Sequence, residues 1–461
     1  MIKVTNPYNG EIVGEVEEYT DSMISDAVDR AYTAQKEWKK VPVYKKVDLS
    51  LRFLELVKEH RDELKALLSS ESGKNYSEVE IEMNNIFTSW RAFGEKAKHL
   101  YDEVIPAGLE AGHDRNVVIT KREPVGVVAA IIPFNFPTNL FNQKVAPALL
   151  SGNTVIVKPA SANPLTVIRL VELLHEAGFP EDVISVVTGS GSKIGKALCT
   201  NEKIALISLT GSTEVGVEVA KMAAEGLKET ALELGGNDAF VVLKDADLEL
   251  AVSEAAGGRF FNAGQICCAP KRFIVHSSLY EEFIAGVTER VSKIKSGDLS
   301  DPDTKIGTLI SENAAKTVEE QINKTVSEGG KVILGGNRKG AFVEPTIIRD
   351  VPHSAAIMHD MEVFGPVMPI TSFETEEEAL SLANDSIYGL GASVFTRDMK
   401  TAMRFTEAFE SGSVVINGSS YFRSFEMPFG GAKMSGIGAE GVYSTFDEVT
   451  RRKCVVLKGI L

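Results

Sequence analysis

From Val125 onward the chain repeats one pattern. A short, continuous apolar run stops at Gly, Pro or a polar residue and is followed by an amphipathic stretch. The runs are VGVVAAIIP from Val125, NTVIVKP from Asn153, VISVVTG from Val183, IALISLTG from Ile204 and DAFVVLKD from Asp238. Runs that are apolar throughout, rather than at every second residue, belong to strands covered on both faces, which in practice are parallel strands joined by crossover helices. The pattern therefore predicts a doubly wound α/β domain, with ligands bound outside the carboxyl ends of its strands. A second α/β set is expected from about residue 236, with strands at KRFIVHS, PVMPITSF, GASVFTRD and GSVVING. RRKCVVLKG, from Arg451, reads as a late strand.

Ahead of these runs, residues 23–40 (with Ser22 before them), 44–70 and roughly 76–100 carry apolar residues at three- and four-residue spacing, which predicts amphipathic helices. Asn116–Thr120 (NVVIT) reads as a strand, in a hairpin with the preceding Gly-rich turn. With 461 residues, two or three domains are expected. No internal repeat and no low-complexity linker interrupts them.

A net charge of −15, from 49 Lys and Arg against 64 Asp and Glu, argues against a nucleic-acid partner, which needs a basic face. It does not exclude a small anionic substrate, for which one arginine suffices. The four cysteines, Cys199, Cys267, Cys268 and Cys454, form neither a CxxC pair nor a disulfide framework. Such usage suits a reducing compartment. The first residues, MIKVTNPYNGEIVGEVEE, hold no apolar core of a signal peptide, and no run approaches the ~18 apolar residues of a membrane span. The expectation is a soluble cytoplasmic protein with no membrane partner. The seven histidines show no HExxH or paired spacing, so no metal site is read.

Three short segments could carry chemistry. In Gly264-Gln265-Ile266-Cys267-Cys268, a nucleophilic cysteine would need to be partly exposed and near groups that stabilise its thiolate. Ala263 and Gly264 leave room for a substrate; the alternative is a buried, inert cysteine. In Glu233-Leu234-Gly235-Gly236-Asn237, partial burial would lift the Glu233 carboxyl toward the range of a general base; the alternative is a surface Glu at a helix end. In Pro133-Phe134-Asn135-Phe136-Pro137, two prolines and two aromatics pin a loop, making the Asn135 amide a fixed donor of the kind an oxyanion needs. Alternatively, Asn135 satisfies its own turn. Two further loops are of the anion-binding type. Thr210–Gly216 (TGSTEVG) follows a strand and opens a helix, where backbone N–H groups favour an anion. Gly189–Gly195 (GSGSKIG) places its third Gly one position too late for GxGxxG and reads as a turn.

Taken in order, these segments resemble the aldehyde dehydrogenase superfamily, from PFNFP at Pro133 to FGGAKMSG at Phe429. Lys158-Pro159-Ala160-Ser161 and Glu362-Val363-Phe364-Gly365-Pro366 complete the set. The resemblance implies that Cys267 attacks the aldehyde carbon and that Asn135 and the Cys267 N–H hold the resulting oxyanion. Hydride then passes to the nicotinamide, and Glu233 activates the water that hydrolyses the thioester. It further implies that Lys158 binds the adenine-side ribose, that Gly211 and Ser212 lie near the pyrophosphate, that Glu362 grips the nicotinamide ribose and that Phe364 packs near the ring. The implied architecture is a dinucleotide-binding α/β domain (residues 1–107 and 122–235), a catalytic α/β domain (236–445) and a small β oligomerisation extension (108–121 with 446–461), in a homodimer or homotetramer. Phe134 and Leu209 stand where the family often has Trp and Phe.

Many NAD-preferring relatives carry Glu three residues after the lysine, where this chain has Ser161. Ser offers a hydrogen bond without negative charge, so the cofactor expectation is NADP or NAD. Ser419-Ser420-Tyr421-Phe422-Arg423 with Met427–Gly431 looks like the branch acting on small polar or anionic aldehydes, such as lactaldehyde, succinate semialdehyde and glyceraldehyde 3-phosphate. Arg423 would bind a substrate carboxylate or phosphate, unless it pairs with a local Glu such as Glu426. A CoA-acylating enzyme is the rival activity, against which Glu233 speaks because that branch typically lacks the base. A non-catalytic relative would have lost Cys267 or Glu233, and both are present.

Overall fold

The computed structural model describes residues 1–460, so Leu461, the end of the expected 446–461 segment, lies outside the described residues. Two sheets carry the molecule. The first has six strands in the order Gly436–Ile437, Glu229–Glu233, Ile204–Thr210, Val127–Ile131, Thr154–Lys158 and Ile184–Val186. All its neighbours are parallel except the Gly436–Ile437 pair. The second has seven, in the order Lys331–Leu334, Thr346–Arg349, Val367–Phe373, Pro270–His276, Asp238–Val242, Gly391–Phe395 and Ser413–Ile416; only Lys331–Leu334 is antiparallel to its neighbour. Helices and apolar cores cover both faces of each sheet. The expected α/β architecture, two doubly wound units, is present.

The strand at DAFVVLKD, which follows the first runs in series, lies past the boundary near residue 236 and falls in the second sheet, paired in parallel with Pro270–His276 and Gly391–Phe395. A fully buried parallel strand looks the same whichever sheet receives it. Conversely, Glu229–Glu233 (ETALE) joins the first sheet although it shows no apolar run.

Among the helices, Thr20 rather than Ser22 caps Asp21–Trp38, accepting from the Met23 N–H at 3.3 Å. The expected 44–70 helix is two, Val43–Glu59 and Arg61–Ser72, broken at His60. No glycine or proline marks that break. Both pieces dock on Leu165–Ala177, and His60 Nδ1 lies 2.6 Å from Glu63 Oε2 in the first turn of the second piece. Gly189–Gly195 is also more than a turn: Ser190 caps the helix Gly191–Thr200.

A third, separate sheet of three antiparallel strands runs Thr450–Leu457, Val117–Pro124, Glu103–Ile105. It extends beyond the expected 108–121 segment on both sides. Val104, Val455 and Val456 on it are exposed.

The catalytic candidates lie where the first sheet ends and the second begins. Glu233 closes a strand of the first sheet, while Cys267 and Glu362 each precede a strand of the second.

Candidate active site

Cys267 follows a strained stretch of chain. The helix Leu248–Phe260 ends, and Asn262, Ala263 and Gly264 then take left-handed φ values of 50°, 51° and 74°. For non-glycine residues each such conformation costs about 1–3 kcal/mol and persists only when neighbours fix it. Gly264 admits no substitute, since a Cβ there would sit 2.2 Å from the Gly365 carbonyl oxygen. Asn262 is held from several directions. Its N–H donates to Glu78 Oε1 at 2.7 Å, and its Nδ2 donates to the carbonyls of Asn135 and Gln265 at 3.0 and 3.2 Å. Gln265 in turn accepts from the Ile310 N–H at 2.9 Å.

The Asn135 loop meets the cysteine loop directly. Asn135 is buried, and its Nδ2 donates to the Gln265 carbonyl at 3.1 Å. Pro137 opens the following helix, Pro137–Ser151, so the residues before it cannot be drawn into helix. The aromatics line the same wall: Phe136 stacks on Phe261 with centroids 6.2 Å apart, and Phe261 meets Tyr421 at 5.2 Å. Cys267 is partly exposed and Cys268 buried.

Burial and charge set the protonation states. The Cys267 thiol is pushed up by its contact with Cys268, then by burial, against an opposing pull from Lys271. Glu233 is not at a helix end but at the end of a buried strand, 5% exposed, and its Oε2 has no hydrogen-bond partner. Burial, and then the neighbouring Glu440, raise its carboxyl well above the usual range. Glu440 itself is engaged by Lys144, Nζ to Oε1 2.7 Å, in an ion pair that is almost fully buried. At rest both Glu233 and Cys267 favour their neutral forms.

The cofactor candidates cluster at strand ends of the first sheet. Lys158 ends Thr154–Lys158, is 6% exposed and makes no ion pair among the described residues; burial lowers the affinity of its amine for a proton. Its Nζ lies 3.9 Å from where a Cβ on Gly191 would stand, at the start of the Gly191–Thr200 helix. Ser161 Oγ donates to the Gly189 carbonyl at 2.7 Å, joining the two loops. Gly211 and Ser212 link Ile204–Thr210 to Thr213–Glu225, with Ser212 as N-cap. Gly216 lets that helix press on Leu234, whose methyl carbon would be 2.4 Å from a Cβ. One helix start beside an unpaired buried ammonium, and a second at the end of another strand of the same sheet, fit the phosphates and ribose of a dinucleotide. Ahead of the Val367–Phe373 strand, Glu362 Oε1 accepts from the Gly236 N–H at 3.3 Å, and Phe364 meets Phe134 edge-on with centroids 5.9 Å apart.

Arg423 does not pair with Glu426. Its nearest carboxylate is Glu440, at 3.9 Å, and its guanidinium lies over the Phe429 ring, 4.0 Å from the centroid. Its Nη1 is buried without a hydrogen-bond partner, and burial lowers its pKa. The fold thus brings Cys267, Glu233, Asn135, Glu362 and Arg423 to one place, with Lys158 at a strand end of the first sheet and Ser161 just after it. It adds residues that the motifs do not mark: Lys144, Glu440, Asn262, Glu78 and Lys271. For Lys271 the signal was available, since a charged pair, Lys271-Arg272, opens a run otherwise expected to be buried.

The family model described as "Aldehyde dehydrogenase family" matches residues 1–455. Lactaldehyde dehydrogenase of Methanococcus aeolicus is 37% identical over 460 residues, covering 99% of this chain and 97% of that protein. Mitochondrial succinate-semialdehyde dehydrogenase of Arabidopsis thaliana is 39% identical over 461 residues, covering 99% and 86%. Among solved structures, the NADP complex of NADP-dependent glyceraldehyde-3-phosphate dehydrogenase from Bacillus halodurans C-125 superposes with a TM-score of 0.96 at 35% identity, over 99% of this chain and 95% of that one. Chain-long agreement in sequence, in fold and in the order of the site segments leads to one assignment: the chain belongs to the aldehyde dehydrogenase family, enzymes that oxidise aldehydes with NAD or NADP.

Proposed function

We propose that this enzyme oxidises a small aldehyde with a polar or acidic tail, such as succinate semialdehyde or lactaldehyde, to its carboxylate. The observation that carries the substrate class is Arg423. It is a half-buried guanidinium beside the Cys267 loop, with one nitrogen buried and unpartnered and no carboxylate nearer than 3.9 Å. An unpaired buried donor costs about 1–3 kcal/mol, more for a charged group, and a substrate anion would relieve that cost. The names of the relatives agree in part, since succinate semialdehyde and glyceraldehyde 3-phosphate both carry an anion.

In this reading Cys267 loses its proton and forms a carbon–sulfur bond with the aldehyde, while the carbonyl electron pair moves onto the oxygen, to which Asn135 Nδ2 and the Cys267 N–H donate hydrogen bonds. When bound, NADP or NAD supplies the acceptor for the hydride that leaves the tetrahedral carbon. Lys158 and Ser161 hold the adenine-side ribose, Gly211 and Ser212 lie along the phosphates, Glu362 takes the second ribose and Phe364 packs by the ring. Glu233 then takes a proton from the water that cleaves the thioester. Ser161 in place of an acid favours NADP. The exposed apolar residues of the three-stranded sheet, Val104, Val455 and Val456, support an oligomer-forming role for that extension.

The test is reduction of NAD or NADP, without CoA, against a panel of propanal, lactaldehyde, succinate semialdehyde and glyceraldehyde 3-phosphate. Activity with an acidic or hydroxylated member that Cys267→Ala abolishes is expected. Activity only in the presence of CoA would instead make the enzyme an acylating one.

A further inference from the structure

Lys271 lies on the Pro270–His276 strand with 1% of its side chain exposed. Its Nζ donates to the Ile266 carbonyl at 2.8 Å and the Cys267 carbonyl at 2.6 Å, and it pairs with Glu362 Oε1 at 3.1 Å. An ammonium has three donors, and all three are used. For stability alone this arrangement is poor value, because a buried ion pair is often no better than apolar residues of the same volume. Its geometry suggests a different use. A trans peptide is planar, so the Ile266 carbonyl and the Cys267 N–H belong to one rigid unit and point in opposite directions. A cation on that oxygen fixes the plane and draws electron density from the nitrogen, which strengthens the N–H as a donor. Among the described residues, no acceptor takes the Cys267 N–H.

We propose that Lys271 is a positioning residue for the acylation step: it orients and polarises the Ile266–Cys267 peptide whose N–H receives the substrate oxygen, and it ties that peptide to Glu362. The inference rests on the oxyanion role given above to the Cys267 N–H. In that step the thiol proton has left to water, the sulfur lone pair forms the carbon–sulfur bond, and the carbonyl π pair moves onto oxygen. Lys271 also faces the thiolate. The other charged or titratable groups around Cys267 are Cys268, Glu362, Glu233 and Arg423, and of the pair, Lys271 stabilises the thiolate while Glu362 opposes it.

The experiment uses the full-length protein. The pH dependence of iodoacetamide alkylation is followed on the peptide carrying Cys267, beside the rate of the first-turnover burst of reduced nicotinamide. Lys271→Met should raise the alkylation midpoint and slow the burst by about tenfold or more, whereas Glu362→Gln should lower the midpoint. A merely structural lysine would depress the melting temperature without moving the midpoint, and that result overturns the proposal. If Lys271→Met does not fold, Lys271→Gln and Glu362→Gln decide, and a midpoint unmoved in both overturns it. Asn135→Ala is the control for the underlying reading. A slowed burst in Asn135→Ala with a normal one in the Lys271 variants rejects only the role of Lys271, while a normal burst in both rejects the oxyanion assignment itself.

Discussion

The side chain of Asn262 donates to the main-chain carbonyl of Asn135 at 3.0 Å, binding the loop that carries Cys267 to the loop that carries Asn135. These loops come from different sheets and are 127 positions apart in sequence. Replacing Asn262 by Ala should leave that carbonyl unpaired, at about 1–3 kcal/mol in stability, and should lower kcat by about tenfold or more because Asn135 is no longer held in place. Thermal melting and steady-state kinetics would be measured together. A lower Tm with unchanged kcat would make the clamp structural only.

Glu233→Gln separates the two halves of the reaction. The first-turnover burst of reduced nicotinamide should persist while steady-state turnover falls by about 10²–10⁴. Intact-protein mass spectrometry should then find the acyl group on Cys267. Equal losses in burst and turnover would remove Glu233 from the hydrolytic step.

Arg423→Leu should raise KM for succinate semialdehyde by tenfold or more, roughly the worth of one charge-assisted hydrogen bond at about 1.5–3 kcal/mol, and should leave KM for propanal within about twofold. If both substrates suffer alike, the guanidinium serves the architecture around Glu440 and not the substrate.

Ser161→Glu should turn preference from NADP toward NAD. A carboxylate against a 2′-phosphate is a like-charge contact costing several kcal/mol, so kcat/KM for NADP should fall at least tenfold while that for NAD holds. An unchanged ratio would place the 2′-position away from the Ser161–Gly189 contact.

Glu78 predicts a pH effect. Its Oε1 accepts from the strained Asn262, its Oε2 has no partner, and burial raises its pKa to about 7 despite nearby Lys74. A carboxyl whose folded pKa is raised holds its proton longer in the native state than in the unfolded one. Its contribution is therefore present at low pH and is lost as pH rises from about 4.5 through 7. Glu78→Gln mimics the protonated form. Its Tm relative to the parent should climb between pH 5 and pH 8, with about 3 kcal/mol as a ceiling. A pH-independent difference would show that Glu78 titrates normally.

Much of this molecule could be read from its sequence, for a physical reason. Parallel strands covered on both faces must be apolar throughout, so VGVVAAIIP, NTVIVKP and IALISLTG mark themselves. The same uniformity makes Asp238–Val242 look like a strand of the first set, although it pairs within the second sheet. Glu229–Glu233 was hidden by its polar ends, since only Ala231, Leu232 and Glu233 are buried. Glu233, Cys267 and Asn135 could be found because each sits in a short motif. Most of their supporting residues could not. Lys144 reads as an ordinary surface lysine, yet it is 1% exposed and ion-paired. The partner of Arg423 was sought three residues away, at Glu426, and lies instead at Glu440, brought close only by the returning chain.

That return also governs when the site can exist. The Gly436–Ile437 strand closes the sheet edge beside Glu233, and 203 positions separate Glu233 from Gly436. At roughly 5–20 residues per second on the ribosome, the edge strand holding Glu233 stays open for about 10–40 seconds after it is made. Any chain cut short before residue 436 leaves a bare strand edge, ready to pair with another such chain. Truncated products of this gene should therefore aggregate or be cleared, and should not persist as half-enzymes.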